Sequence, residues 1–385
     1  MSSPRFRPAS RRHRPFAGLA AAALVLAAAG CGNTNDDSPS SGGGGDLSAA
    51  QQECVDSASA FLDDRGLLPE ELPEGFTPLS APPTPGLVFT KLMQGAVPTD
   101  VESSELMADL ADKIGWVGNT LAYDGSVEDV NRKAMEAIET SDVVALAGPE
   151  PASVQGPIAA AKEKGVLLMM NTQEPTQSLP GFGAIPLGGD MWNNFGKLGG
   201  YQMLQATDCQ VNVAAFGIPA QPIQDAAEGA HEVLKAECAK CGYSYTDIPF
   251  ADIGSPAATN AVISKVQSDP SINFVYFGIG DLATGIEPAL KQAGLDVQVG
   301  GVLPSSPNLD ALKRGDNSFW VGVPQEPTAL IVIDTALRAL DTGKPLTNGA
   351  YPAPVYTQDN LTQTDPVPAY PPDIKDRFMK LWHVQ

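Results

Sequence analysis

From Gly86 to about Leu340 the sequence alternates short apolar runs with longer amphipathic stretches, and this rhythm narrows the possible folds more than any other feature. Val143-Val144-Ala145-Leu146-Ala147 and Phe274-Val275-Tyr276-Phe277 carry no polar residue at alternate positions, the pattern of strands covered on both faces. Between such runs lie stretches with helical spacing. Glu102–Ile114 is closed by Gly115, Ser126–Thr140 is opened by a serine with Asp129 at its third position, and Ala152–Lys164 is closed by Gly165. Strands alternating with helices of this length give a parallel sheet with helices on both faces. The first series comprises Leu87-Val88-Phe89, Val117–Ala122, Val143–Ala147 and Val166–Met170 as strands. A second begins with a helix over Met191–Thr207 and continues through strands Val211–Phe216, Tyr243–Pro249, Phe274–Phe277, Val297–Val302 and Phe319–Val323. Their helices are expected over Ile223–Glu237, Pro256–Ser268, Leu282–Ala293, Leu309–Arg314 and Thr328–Leu340. Two consecutive series imply two lobes, each with ligand-facing loops at the carboxyl ends of its strands.

The first thirty residues do not belong to this body. Arg11, Arg12 and Arg14 precede an apolar run from Ala17 to Ala29, and Ala28-Ala29-Gly30 leads into Cys31. A cationic segment, a short apolar segment and small residues before a cysteine are the marks of a lipoprotein export signal, with Cys31 as lipid acceptor and first mature residue. The apolar run is too short to span a bilayer, which takes about twenty residues. Residues 31–48, rich in Asn, Asp, Ser and Gly, read as a flexible tether. The expected location is the outer face of the cell membrane, with export by either the general or the twin-arginine route. Residues 49–85 form a helix, Ala49–Arg65, and a proline-rich lead-in.

Charge and cysteine usage limit partners and chemistry. Against 45 acidic residues stand 24 basic ones, for a net charge of −21, and five of those arginines lie in the leader. Such a surface repels nucleic acid and anionic headgroups. Cys54, Cys209, Cys238 and Cys241 suit an oxidising compartment. Cys238-x-x-Cys241 lacks a second cysteine pair and has few histidines to complete a zinc site, so a disulfide is favoured over a metal. The expected bridge joins Cys209 to Cys238 or Cys241, leaving Cys54 to pair with the remaining thiol or stay free. His231 and His383 stand apart from any nucleophile motif, no phosphate-cradling glycine loop occurs, and the acids are spread over helices. No catalytic residue, cofactor or metal is expected, and an enzyme is the least favoured class.

Three segments carry a family resemblance. Ser141–Pro149, Ala159–Val166 and Val323-Pro324-Gln325-Glu326-Pro327, in this order and spacing, resemble the type 1 periplasmic binding proteins, in particular the ribose and monosaccharide branch that serves ABC importers. The resemblance covers about Gly86 to Thr357. It implies an α/β protein of two Rossmann-like lobes with parallel sheets, joined by a three-strand hinge near Gly188, Pro324 and Thr357. Lobe 1 would take 86–188 and 325–350, and lobe 2 would take 189–324 and 351–385. Closure around a small molecule, presentation to an ABC permease and a monomeric state follow from the same likeness. A ligand-sensing subunit for a membrane receptor kinase is the alternative output.

Strand ends supply the candidate binding residues: Met93, Tyr123, Gly148, Glu150, Asn171, Thr172 and Gln173 in lobe 1, Ile218, Gln224 and Asp281 in lobe 2, and Gln325 at the hinge, with Lys91, Gln94, Phe182 and Trp192 nearby. Sugar-binding members of the family carry an arginine where Gln224 stands, an asparagine before the aspartate of Gly280-Asp281, and an aspartate near Leu303. Losing those bidentate contacts points to a ligand less hydroxylated than a hexose, although a sugar held by other donors remains an alternative.

Overall fold

The computed structural model describes residues 47–384, except 66, 73–74, 148, 172–182, 186, 188–189, 344–345 and 348–352. The leader, the tether as far as Asp46, Cys31, Gly148, Thr172, Gln173, Phe182 and Gly188 therefore lie outside the described residues. In order, the elements are α1 (Ala49–Arg65), β1 (Val88–Gln94), α2 (Pro98–Lys113), β2 (Val117–Tyr123), α3 (Val127–Thr140), β3 (Val143–Ala147), α4 (Gln155–Lys164), β4 (Leu167–Asn171), β5 (Ala184–Ile185) and α5 (Met191–Ala206). The second half has β6 (Asn212–Gly217), α6 (Gln221–Glu237), β7 (Gly242–Asp247), α7 (Pro256–Ser268), β8 (Phe274–Phe277), α8 (Ile286–Gln292), β9 (Gln298–Val302), α9 (Ser306–Arg314) and β10 (Phe319–Val321). It closes with α10 (Gln325–Thr342), β11 (Leu346–Thr347), β12 (Val355–Tyr356) and α11 (Ile374–Leu381).

Two six-stranded sheets result, ordered β11-β5-β4-β3-β1-β2 and β12-β10-β9-β8-β6-β7. Every pairing is parallel except β12 on β10. In each sheet the order reverses beside the first strand, between β1 and β3 in lobe 1 and between β6 and β8 in lobe 2. Adjacent loops diverge there to opposite faces and leave a crevice at the carboxyl ends.

Local chemistry explains the elements. Ser126 accepts from the backbone N–H of Asp129 at 3.1 Å and starts α3 as expected. α2 begins four residues earlier than expected because Pro98 occupies its first turn, where a missing N–H costs nothing. β1 runs five residues beyond Phe89: Lys91 is 1% exposed, its charge held by Asp100 at 3.3 Å. Packing of α5 on α6 brings backbones together at two glycines. A Cβ at Gly196 would lie 1.8 Å from the carbonyl oxygen of Ala226, and one at Gly229 2.0 Å from that of Asn193.

The segment before β1 attaches to both lobes. α1 buries Cys54, Ala58 and Leu62, and packs on α5; further on, Leu67 accepts from Val355 N–H at 2.7 Å in lobe 2. Thr77 then accepts from Arg338 of α10 at 2.7 Å, and Leu79 N–H donates to Leu381 of α11 at 2.9 Å. The C-terminal stretch divides as well. β12 joins the lobe 2 sheet, whereas α11 lies on α10 with Phe378 and Trp382 fully buried, so residues 351–385 do not all accompany lobe 2 as expected. The chain crosses between lobes after β5, at Pro324, and between β11 and β12. The last crossing precedes Thr357, whose N–H is held by Asn360 at 2.9 Å.

The disulfide expectation is corrected. Cys54 pairs with Cys209, and Cys238 with Cys241. Cys238 and Cys241 do approach Cys209, with sulfurs 3.4 and 3.8 Å from its carbonyl oxygen. Docking of α1 on α5, which sequence spacing does not reveal, brings Cys54 close enough to take the Cys209 sulfur.

Candidate functional site

The two crevices face each other across a cavity of about 130 Å³. Lobe 1 contributes Lys91 and Gln94 from β1, Val97, Thr99, Asp100 and Ser103 from the start of α2, Tyr123 from the end of β2 and Ala147 from the end of β3. Lobe 2 contributes Trp192 on α5, Ile218, Ala220 and Ile223 after β6, Phe250 after β7, Ile279 after β8 and Leu303 after β9. Val323 and Gln325 close it at the hinge. The wall is thus set by strand ends at both reversal points and is mainly apolar.

The lobes are in contact over this cavity. Thr99 Oγ1–H donates to Asp281 Oδ2 at 2.6 Å across the cleft, with the Thr99 N–H 3.4 Å from the same oxygen. Val97 packs among the lobe 2 residues Ile218, Ala220 and Ile223. A Cβ on Gly125 would stand 3.2 Å from the Phe250 ring, so the lobes meet there too. Burial raises the Asp281 carboxyl above the usual carboxylate range, and the nearby Asp100 charge adds to this. Glu102 is raised for the same first reason, with Asp365 and Asp281 reinforcing it.

Lobe 1 polar groups are largely spent on one another. The Lys91 ammonium donates to Asp100 and to the Leu92 carbonyl, and the other Asp100 oxygen accepts from Gln94 N–H at 2.6 Å. Tyr123 donates to the Ala147 carbonyl at 3.0 Å, and burial pushes its phenol well above the usual range. Three residues of the wall each carry a buried polar atom with no protein partner: Gln94 Nε2, Trp192 Nε1 and Gln325 Oε1. The Gln94 amide orientation is fixed, because its oxygen accepts from Ala96 N–H.

Of the expected binding residues, Tyr123, Ile218 and Gln325 line the cavity, and Asp281 sits behind Thr99. Asp281 lies in a short 3-10 turn ahead of α8, so it does not cap that helix. Met93 is half-buried and Glu150 exposed, and neither forms part of the wall. Gln224 is turned to Asp247, donating at 3.0 Å, so it too is absent from the wall. Asn171 ends β4, and its side chain is outside the described residues. Sequence reasoning missed Val97, Thr99, Asp100 and Phe250. The first three follow once β1 is extended to Gln94, because the next loop then falls at 95–97.

Among the described residues no cluster of three or more His, Cys, Asp or Glu side chains could hold a metal, and no helix is long and apolar enough to cross a membrane.

Residues 102–345 match the family model described as periplasmic binding protein domain, and the chain belongs to that family. Its structure is similar to that of an ABC transporter solute-binding protein from Burkholderia graminis C4D1M in complex with D-arabinose, at 16% identity over 73% of this chain and 98% of that one, with a TM-score of 0.62. A Mycobacterium smegmatis ABC transporter solute-binding protein with bound glycerol gives 15% identity, 71% and 95% coverage and a TM-score of 0.61. An Actinobacillus succinogenes periplasmic solute-binding protein with bound D-allose gives 16%, 72% and 98%, and 0.61. At these identities the likeness is one of fold: two parallel-sheet lobes of the type 1 periplasmic binding kind. No curated protein sequence matches the chain.

Proposed function

We propose that the chain is an extracytoplasmic solute receptor that closes two lobes over one small molecule and offers the closed form to the permease of an ABC importer, anchored by lipid on Cys31. The observation that carries this reading is the cavity at the facing reversal points of the two sheets, walled from both lobes and bridged by Thr99 and Asp281. A ligand that touches both walls favours the closed arrangement by its differential affinity for it. Solute-binding neighbours with bound small molecules support the same reading.

The test joins capture to closure. Native mass spectrometry of the protein from its own host is expected to show one small molecule per chain. Thr99→Val keeps the shape but removes the hydroxyl that donates to Asp281 at 2.6 Å, leaving only the longer contact from the Thr99 N–H, which costs about 1.5–3 kcal/mol and weakens that ligand about ten- to hundredfold. Solution scattering of the variant should shift towards the open form. A chain that carries no small molecule, and whose scattering is the same before and after exposure to host extract, would refute capture by closure. Anchoring is tested separately: Cys31→Ser removes the acyl acceptor, so radiolabelled palmitate that persisted in the variant would exclude the lipid on Cys31.

A further inference from the structure

The three unpartnered atoms in the cavity wall describe the ligand. We infer that, if the chain is a solute receptor, its cargo is a compact, uncharged, largely apolar molecule the size of a single aromatic ring, carrying one hydrogen-bond acceptor and one donor, and that it is not a monosaccharide.

Size comes first. The cavity holds about 130 Å³, and apolar cavities of about 150 Å³ admit benzene-sized guests. Chemistry follows from the wall. Val97, Ile218, Ile223, Ile279, Leu303 and Val323 present hydrocarbon, with Phe250 and Trp192 as aromatic surfaces. A pyranose would bring a hydroxyl to nearly every face of its ring, and each one left unpaired against hydrocarbon weakens binding. Among the described wall residues the ammonium and hydroxyl groups that could serve those hydroxyls are engaged: Lys91 with Asp100, Thr99 with Asp281, Tyr123 with the Ala147 carbonyl, Ser103 with the Asp100 carbonyl and Thr328 with the Pro324 carbonyl.

Charge is excluded by the same accounting. Among the described residues of the wall Lys91 is the one basic residue, and Asp100 neutralises it. An ionised ligand would therefore enter a low-dielectric site without a free counter-charge. Among the described residues of the wall, the buried polar atoms without a partner are two donors, Gln94 Nε2 in lobe 1 and Trp192 Nε1 in lobe 2, and one acceptor, Gln325 Oε1 at the hinge. Buried polar groups are normally satisfied, so these three atoms mark where the ligand places an acceptor and a donor. The donors lie on opposite lobes, so an acceptor within reach of both would draw the lobes together. A site built to pair such groups also rejects isosteres that lack them.

Calorimetry on the purified full chain, with benzamide and phenol as probes and D-arabinose, D-ribose, D-galactose and glycerol as competitors, tests the inference. At least one aromatic probe is expected to bind saturably with one site, and the polyols not to bind. Trp192→Phe deletes the indole N–H and keeps the aromatic surface, and Gln325→Leu deletes the amide. Each is expected to weaken the bound probe by tenfold or more while the thermal midpoint of the empty chain stays within a few degrees. Tight binding of a polyol with neither aromatic probe bound would overturn the ligand class and leave solute capture standing. Probe binding unaffected by both substitutions would overturn the assignment of the three atoms. If neither set binds, the ligand class is rejected, and the mass spectrometry above decides separately whether the chain captures a solute at all.

Discussion

Replacing Cys54 and Cys209 together by alanine is expected to lower the free energy of unfolding by about 5 kcal/mol, whereas the same treatment of Cys238 and Cys241 costs only about 1.5 kcal/mol. The difference comes from the unfolded chain. The first bridge spans 155 residues and encloses every strand and helix from β1 to α5, while the second spans three. Closing a long loop removes more disorder from the unfolded ensemble than closing a short one. The variant without the long bridge should also show a steeper denaturant dependence, because its unfolded chain exposes more surface. Urea titrations of both double variants measure this. Equal losses would remove the loop-length account, and a Cys54 peptide found linked to Cys238 or Cys241 would remove the pairing itself.

Arg338→Ala is expected to cost about 3–5 kcal/mol, because it strands a buried carboxylate. Asp334 is fully buried within α10 and accepts from Arg338 Nε at 2.6 Å, from Arg338 Nη2 at 3.0 Å and from Trp382 Nε1 at 2.8 Å. Removing the arginine leaves the indole as the one remaining donor among these contacts, and also cuts the bond from Arg338 to the Thr77 carbonyl. Replacing both charges with apolar residues of similar volume, Asp334→Leu with Arg338→Met, should recover most of the loss, since a buried ion pair often contributes little net stability compared with well-packed hydrocarbon. Denaturant unfolding of the single and double variants decides the matter. A single variant within about 1 kcal/mol of the parent, below the about 1.5–3 kcal/mol that a hydrogen bond to a charged group contributes, would mean that water reaches Asp334.

How much of this was legible in the sequence varied with the range of the determining contact. β3, β8 and α3 depend on signals held within ten residues: unbroken apolar runs, and a serine cap at fixed spacing. β1 was cut short because Thr90 and Lys91 look like strand-ending residues until Asp100 folds back to neutralise the lysine. β5 and β11 have two residues each and exist only through pairing with strands far away in sequence. At the site, Tyr123, Ile218 and Gln325 were accessible because strand ends at sheet reversal points are generic ligand positions. Gln224 was expected at the site from its place after the β6 strand end and from family analogy, and Asp247, on the neighbouring strand, holds its amide instead. The Cys54–Cys209 bridge lay beyond sequence reading because it depends on how α1 docks.

The lead-in segment changes the mechanics of any opening motion. Hinge proteins of this build join their lobes by crossings where the chain passes from one sheet to the other. Here a further link runs from α1, stapled to lobe 2, to the Thr77–Leu79 stretch bonded to lobe 1. Nine residues lie between the Leu67 and Thr77 anchors, and that length bounds how far the two anchors can separate. A segment fixed at both ends acts as a check strap on a door: in the closure proposed here, its length limits how far the lobes can part.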